Sequence, residues 1–167
     1  MAMGALSSLV PYPAGGRAGE REGQAGAGRS DLAAWLSGLS LAGLGRPVGA
    51  RPIWEREATN VARSWLRLVD DGRHPASWAA AAPLLREEVG SREWDAALRA
   101  VRVPLGRCLW RELHSVSVVE GPAGARRGPY VVIRFESVFE RRSHAAETVT
   151  PVLGPDGRWR VAAYFVG

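Results

Sequence analysis

The sequence predicts an α+β domain in which three N-terminal helices pack on a four-stranded antiparallel meander. Between Ile53 and Gly106 apolar residues recur every three or four positions, the period of a helix with one buried face. From Cys108 to Val166 the period falls to two and β-branched and aromatic residues dominate, as strands require. Residues 1–31 show neither period. They are rich in Gly, Ala, Ser and Arg, as in "PAGGRAGEREGQAGAGRS". Such a stretch buries too little apolar surface to offset the entropy of ordering it. The expectation is a disordered leader over 1–31, an apolar segment over 32–50 and a single domain over 53–167.

The first helix lies in "WEREATNVARSWLRLVDDG", where Ala58, Val61, Ala62, Trp65, Leu66, Leu68 and Val69 form one stripe and Gly72 is the stop. The second occupies "PASWAAAAPLLREEV", opened by Pro75 and Ser77, with Pro83 kinking or dividing it. The third, "SREWDAALRAVRVPLG", has Ser91 as its expected N-cap, Glu93 and Asp95 in its first turn, and Pro104 and Gly106 at its end. The strands are "CLWRELHSVSVVE", "YVVIRFESVFE", "AAETVTPVL" and "RWRVAAYFV". They are joined by "GPAGARRGP", "RRSH" and "GPDG", the last with Asp156 and Gly157 at its tip.

Strict alternation assigns Val131, Ile133, Phe135 and Phe139 to the core face and Val132, Arg134, Glu136 and Val138 to the other. On the last strand it assigns Trp159, Val161, Ala163 and Phe165 to the core, and Arg158, Arg160, Ala162 and Tyr164 to the opposite face. Pro151 lacks a ladder donor and marks a strand end, an edge or a bulge.

Leu32–Leu44 is an apolar run free of charge, shorter than the roughly 20 residues a helix needs to cross a bilayer. Arg29 precedes it, Pro47 follows, and "PVGA" sets small residues Val48 and Ala50 before a cut. These are the parts of a secretory signal. The expected location is therefore periplasmic or secreted, the alternative being an anchor through the uncleaved apolar segment. No stable membrane span is expected.

The 167 residues carry 22 basic residues, all arginine, against 17 acidic ones, for a net charge of +5. The arginines are scattered, and only Arg126–Arg127 and Arg141–Arg142 are adjacent. Nucleic-acid binding calls for a basic stripe with aromatics, and none is present. The single cysteine, Cys108, excludes an intramolecular disulfide and a cysteine-rich zinc site. It reads as a small hydrophobe rather than a reactive thiol. His74, His114 and His144 match no metal-ligand spacing, and the glycines of "GPAGARRG" precede a strand rather than a helix. No metal and no cofactor are expected, and no catalytic residue is assigned.

His114, Arg134, Glu136 and Glu147 fall on three strands and share one sheet face if the register allows. A histidine near carboxylates suits a proton shuttle, but cross-strand ion pairs on a wet face are the preferred account of Arg134, Glu136 and Glu147. Trp65, Trp78 and Trp94 fall one on each helix. They are either core or the walls of a ligand cavity, to which Tyr130 and Tyr164 would offer hydroxyls.

In order along the chain, "SWLRLVDDG", "SWAAAAPL", "VPLG", "RELHS", "YVVIRFESVF", "ETVTPVLGPDGRWRV" and "YF" resemble a bacterial family known as domain of unknown function 4019. The resemblance runs from about Ala58 to Val166. It implies small exported proteins built as a cystatin-like or nuclear-transport-factor-like roll, and it brings no catalytic assignment. Arg141–Arg142 and Ala163 depart mildly from the family pattern, where lysine and glycine are expected. The functional expectation is an exported module that binds a small ligand or a protein partner without catalysis. A cofactor-free lyase or isomerase with a pocket between helices and sheet is the alternative.

Overall fold

The structure is a computed structural model that describes residues 52–120 and 128–167. The expectations for 1–31 and 32–50 lie outside the described residues. Helix α1 (Ile53–Asp70) buries Ala58, Thr59, Ala62, Trp65, Leu66 and Val69, the stripe its spacing predicts. The second predicted helix is two, α2 (His74–Ala79) and α3 (Pro83–Glu88). Pro83 divides them because the residue before a proline is driven from helical to extended backbone, and Ala82 sits at φ −60°, ψ 148°. The break has a use: the Ala82 N–H donates to the Val161 carbonyl at 2.8 Å, tying the interhelical joint to the last strand.

Helix α4 spans Ser91–Leu105 and runs through Pro104 into its last turn. Its N-cap is Gly90 rather than Ser91, and the Glu93 carboxylate accepts the Gly90 N–H at 3.1 Å in place of a capping side chain. Gly106 ends the helix at φ 77°, and a Cβ there would lie 2.8 Å from Glu140 Oε2. Only glycine fits both the backbone and the space.

Strands β1 (Cys108–Val119), β2 (Tyr130–Phe139), β3 (Arg142–Leu153) and β4 (Trp159–Val166) form one antiparallel sheet in sequence order. β3 begins earlier than expected, so Arg142 and His144 belong to the strand rather than to the link. The helices cover one face, where Val131, Ile133, Phe135, Val149, Val161 and Tyr164 meet α1 and α4. Ser77 at their centre accepts the Trp94 indole N–H on its hydroxyl at 3.0 Å, and its carbonyl accepts the Trp65 N–H at 2.8 Å. The tryptophans thus enter the core with their polar edges satisfied.

The ladder slips at four places, and two of them bear on the residues whose faces the alternation assigns. On β4, Thr150 pairs with Ala163 while Pro151 pairs with Val161, so Ala162 is an extra residue in the ladder. A bulge of this kind shifts the following residues by one face. Trp159 and Val161 point to the helices as predicted, but beyond the bulge Tyr164 takes the inner face, and Ala163 and Phe165 turn outward. On β1, Leu113 pairs with Phe135 and Ser115 with Arg134, leaving His114 extra. No helix among the described residues is long and apolar enough to cross a membrane.

Candidate functional site

One end of the interior is charged. Helix α4 repeats its buried positions at Trp94, Leu98, Arg102 and Leu105, so Arg102 enters the core on the same stripe as the apolar residues. Opposite it Glu147 is fully buried on β3, held to the inner face by its register with Phe135. Arg102 donates to Glu147 at 2.9 Å through Nη1 and to Asp70 at 2.5 Å through Nη2. Arg111 repeats the connection from β1, with Nε 2.6 Å from Glu147 and Nη1 2.7 Å from Asp70. Two guanidiniums and two carboxylates close a neutral ring.

Ser137 from β2 donates to Glu147 at 2.5 Å, and Tyr164 from β4 donates to it at 2.6 Å. Each of α1, α4 and the four strands contributes one member. A buried ion is tolerated only when its lone pairs are satisfied. Glu147 has about four lone-pair directions and receives four donors.

Burial acts against the charges on Arg102 and Arg111, yet the carboxylates beside them hold both above the usual arginine range. Burial, then the neighbouring Glu147 charge, pushes the Tyr164 phenol well above its ordinary value. It stays a neutral donor. The Arg102 guanidinium also stacks on Phe139, 4.6 Å from the ring centre.

Above this ring opens a cleft of about 360 Å³. Asp70 and Arg102 of the ring line it together with His74, Arg99, Arg107, Glu140 and Arg141. His74 is buried, with Nδ1 2.9 Å from Asp95. The hydrogen bond from Arg99, and then that from His74, holds the Asp95 carboxyl below its ordinary range. The Arg107 backbone N–H and guanidinium do the same to Glu140.

The residues singled out from sequence divide. Glu147 belongs to the ring. Trp65 and Trp94 are core beneath it, and Trp65 packs edge-on to Tyr164 at 5.5 Å. Trp78 is half-buried and donates to the Val89 carbonyl. Tyr130 lies fully buried on the opposite side of the sheet with Val132 and Phe165. His114 and Glu136 form an exposed pair at 3.0 Å, and Arg134 sits half-buried across from Ser115 and Thr148. The register therefore separates Glu147 from Arg134 and Glu136, which occupy the other face.

Sequence reading offers the Tyr164 hydroxyl to a cavity between helices and sheet, but it does not single out Asp70, Arg102, Arg111 or Ser137. The signal for Arg102 was its position eight residues after Trp94 on the buried stripe. The signal for Tyr164 was cancelled by the bulge. Cys108 is half-buried, and burial raises its thiol pKa.

Fold and site together define a small helix-and-meander domain whose interior carries a neutralised arginine–carboxylate ring. Residues 61–164 match the family described as "Protein of unknown function (DUF4019)", and the chain belongs to that family. Neither a curated protein nor a solved structure matches it.

Proposed function

We propose that the protein is a binding module for a small anionic ligand, bearing a carboxylate or phosphate, seated in the cleft above the ring. The observation that supports this is the charge of the lining: Arg99, Arg102, Arg107 and Arg141 against Asp70 and Glu140. Guanidinium groups match planar anions through paired N–H donors, and the volume suits a small molecule. Asp70 and Arg102 already neutralise one another, so the exposed Arg107, which pairs with Glu140 through Nε, and the exposed Arg141 are the groups that engage the ligand. Titration calorimetry with inorganic phosphate and with succinate tests this. Arg107→Ala and Arg141→Ala should each weaken binding about tenfold, and affinity should fall as salt rises. Absence of binding in the unaltered protein, or equal affinity in the variants, refutes the reading.

One observation favours a second reading. His74, oriented by Asp95, lines the same cleft, and a carboxylate-held imidazole is an arrangement general bases use. As a cofactor-free isomerase or lyase, the protein would catalyse deuterium exchange into a bound keto acid, and His74→Gln would abolish it. No exchange in the unaltered protein dismisses this alternative.

A further inference from the structure

We infer, resting on the anion-site reading above, that the ligand of the cleft is a small carboxylic acid and that it binds by displacing the Glu140 carboxylate from the donors of Arg107. Glu140 itself shows what those donors hold. Its Oε2 accepts the Arg107 backbone N–H at 2.9 Å, and its Oε1 accepts the Arg107 Nε–H at 2.6 Å. Two oxygens of one planar group thus meet two donors of one residue, the paired arrangement that suits carboxylates. Gly106 makes the room. A Cβ there would lie 2.8 Å from Oε2, so bare backbone is what lets a carboxylate come so close. The same donors hold the Glu140 carboxyl below its ordinary range. At neutral pH the notch is therefore filled by an anion that belongs to the chain.

That anion is exchangeable, and its backbone is not. The Glu140 N–H donates to the Arg107 carbonyl at 3.0 Å, and the Arg141 N–H donates to the Leu105 carbonyl at 3.0 Å. The turn between β2 and β3 therefore stays fixed to the end of α4 whether or not the carboxylate is seated, and only side-chain torsions need to change. The Glu140 side chain is 33% exposed and that of Arg107 82%. On release the carboxylate enters water, and exposed pairs of this kind are weak enough to trade partners. Glu147 is the opposite case, fully buried under four donors. Arg107 and Glu140 both line the cleft, so the donors that Glu140 vacates pass to whatever carboxylate the cleft receives. Glu140 is thus a tethered competitor. It lowers apparent affinity by the fraction of molecules in which the notch is filled.

Calorimetry on the full chain, with succinate and with inorganic phosphate, compares the unaltered protein with Glu140→Ala, Glu140→Gln and Glu112→Ala. Glu112 is an exposed carboxylate on β1 that does not line the cleft, so removing it changes the net charge equally. Glu140→Ala is expected to tighten succinate about fivefold, the upper worth of an exposed ion pair. Glu140→Gln should tighten it in the same direction, and Glu112→Ala should leave it unchanged. Acetate, which matches the Glu140 headgroup, is expected to raise the melting temperature of Glu140→Ala more than that of the unaltered protein. Succinate affinity unchanged or weakened in both Glu140 variants, or strengthened as much in Glu112→Ala, overturns the inference and leaves the anion-site reading standing. An acetate response equal in the two proteins overturns it too. Phosphate tightened more than succinate overturns the choice of a carboxylate. Failure of the unaltered protein and of every variant to bind either anion brings down the anion-site reading, and the displacement with it. Should Glu140→Ala lose its cooperative melt, Glu140→Gln carries both comparisons.

Discussion

Glu147 is the residue on which the charged end depends. Removing one partner of a buried ion pair leaves the others desolvated and uncompensated, a loss of about 3–5 kcal/mol. Glu147→Gln should cost that much in urea-induced unfolding, because Arg102 and Arg111 would then share Asp70 alone. Tyr164→Phe removes a single hydroxyl donor and should cost about 1–2 kcal/mol.

The phenol also predicts a pH dependence. Its folded pKa is raised above its unfolded value near 10. The neutral form is favoured on folding, so this contribution is full below pH 10 and fades as pH rises toward the folded pKa. Chemical denaturation between pH 9 and 11 should show stability falling, with the fall reduced in Tyr164→Phe. Sequence reading reached Glu147 as a strand residue of interest but gave it no buried partners. Arg102 carries a signal only in its place on the buried stripe of α4, and Arg111 looks like any other arginine in a chain whose basic residues are all arginine.

At the scale of elements, every predicted helix and strand is present, and the differences trace to backbone events. Pro83 was legible as a break, because proline removes a donor and restrains its neighbour. The Ala162 bulge was not, because "VAAYF" is apolar on both phases and the strand buries both faces. With no polar residue to mark the outer side, a one-residue shift leaves no trace in the pattern. Deleting Ala162 restores strict alternation and would turn Tyr164 away from Glu147. Thermal unfolding should show that deletion far more damaging than Ala162→Val, which keeps the count. Gly106 offers a second test at an element boundary. Gly106→Ala forces a side chain into positive φ and against Glu140, at about 1–3 kcal/mol, read from the same melts.

For the molecule as a whole, the charge balance sets its response to acid. Hydrogen bonds from Arg160 hold the Asp156 carboxyl down at about 2, and Glu140 and Asp95 are lowered as well. A carboxylate with a depressed folded pKa contributes stability above its unfolded value. That contribution is lost as pH falls through the folded one. The melting temperature should hold down to about pH 4 and then decline toward pH 2, with Asp156→Asn flattening the lower part of the decline.

The joint between α2 and α3 bears on how copies of this chain can meet. A meander has two open margins, and each is a template on which another chain can lengthen the ladder. Here the β4 margin is claimed at Val161 by the amide of Ala82. On β1, the kink at His114 disturbs the row of donors that an incoming strand would need. Each of these features interrupts its margin at one point and so opposes edge-to-edge lengthening there. Freeing that amide's partner, by Ala82→Pro, should make turbidity rise more steeply with protein concentration than it does in the unaltered protein.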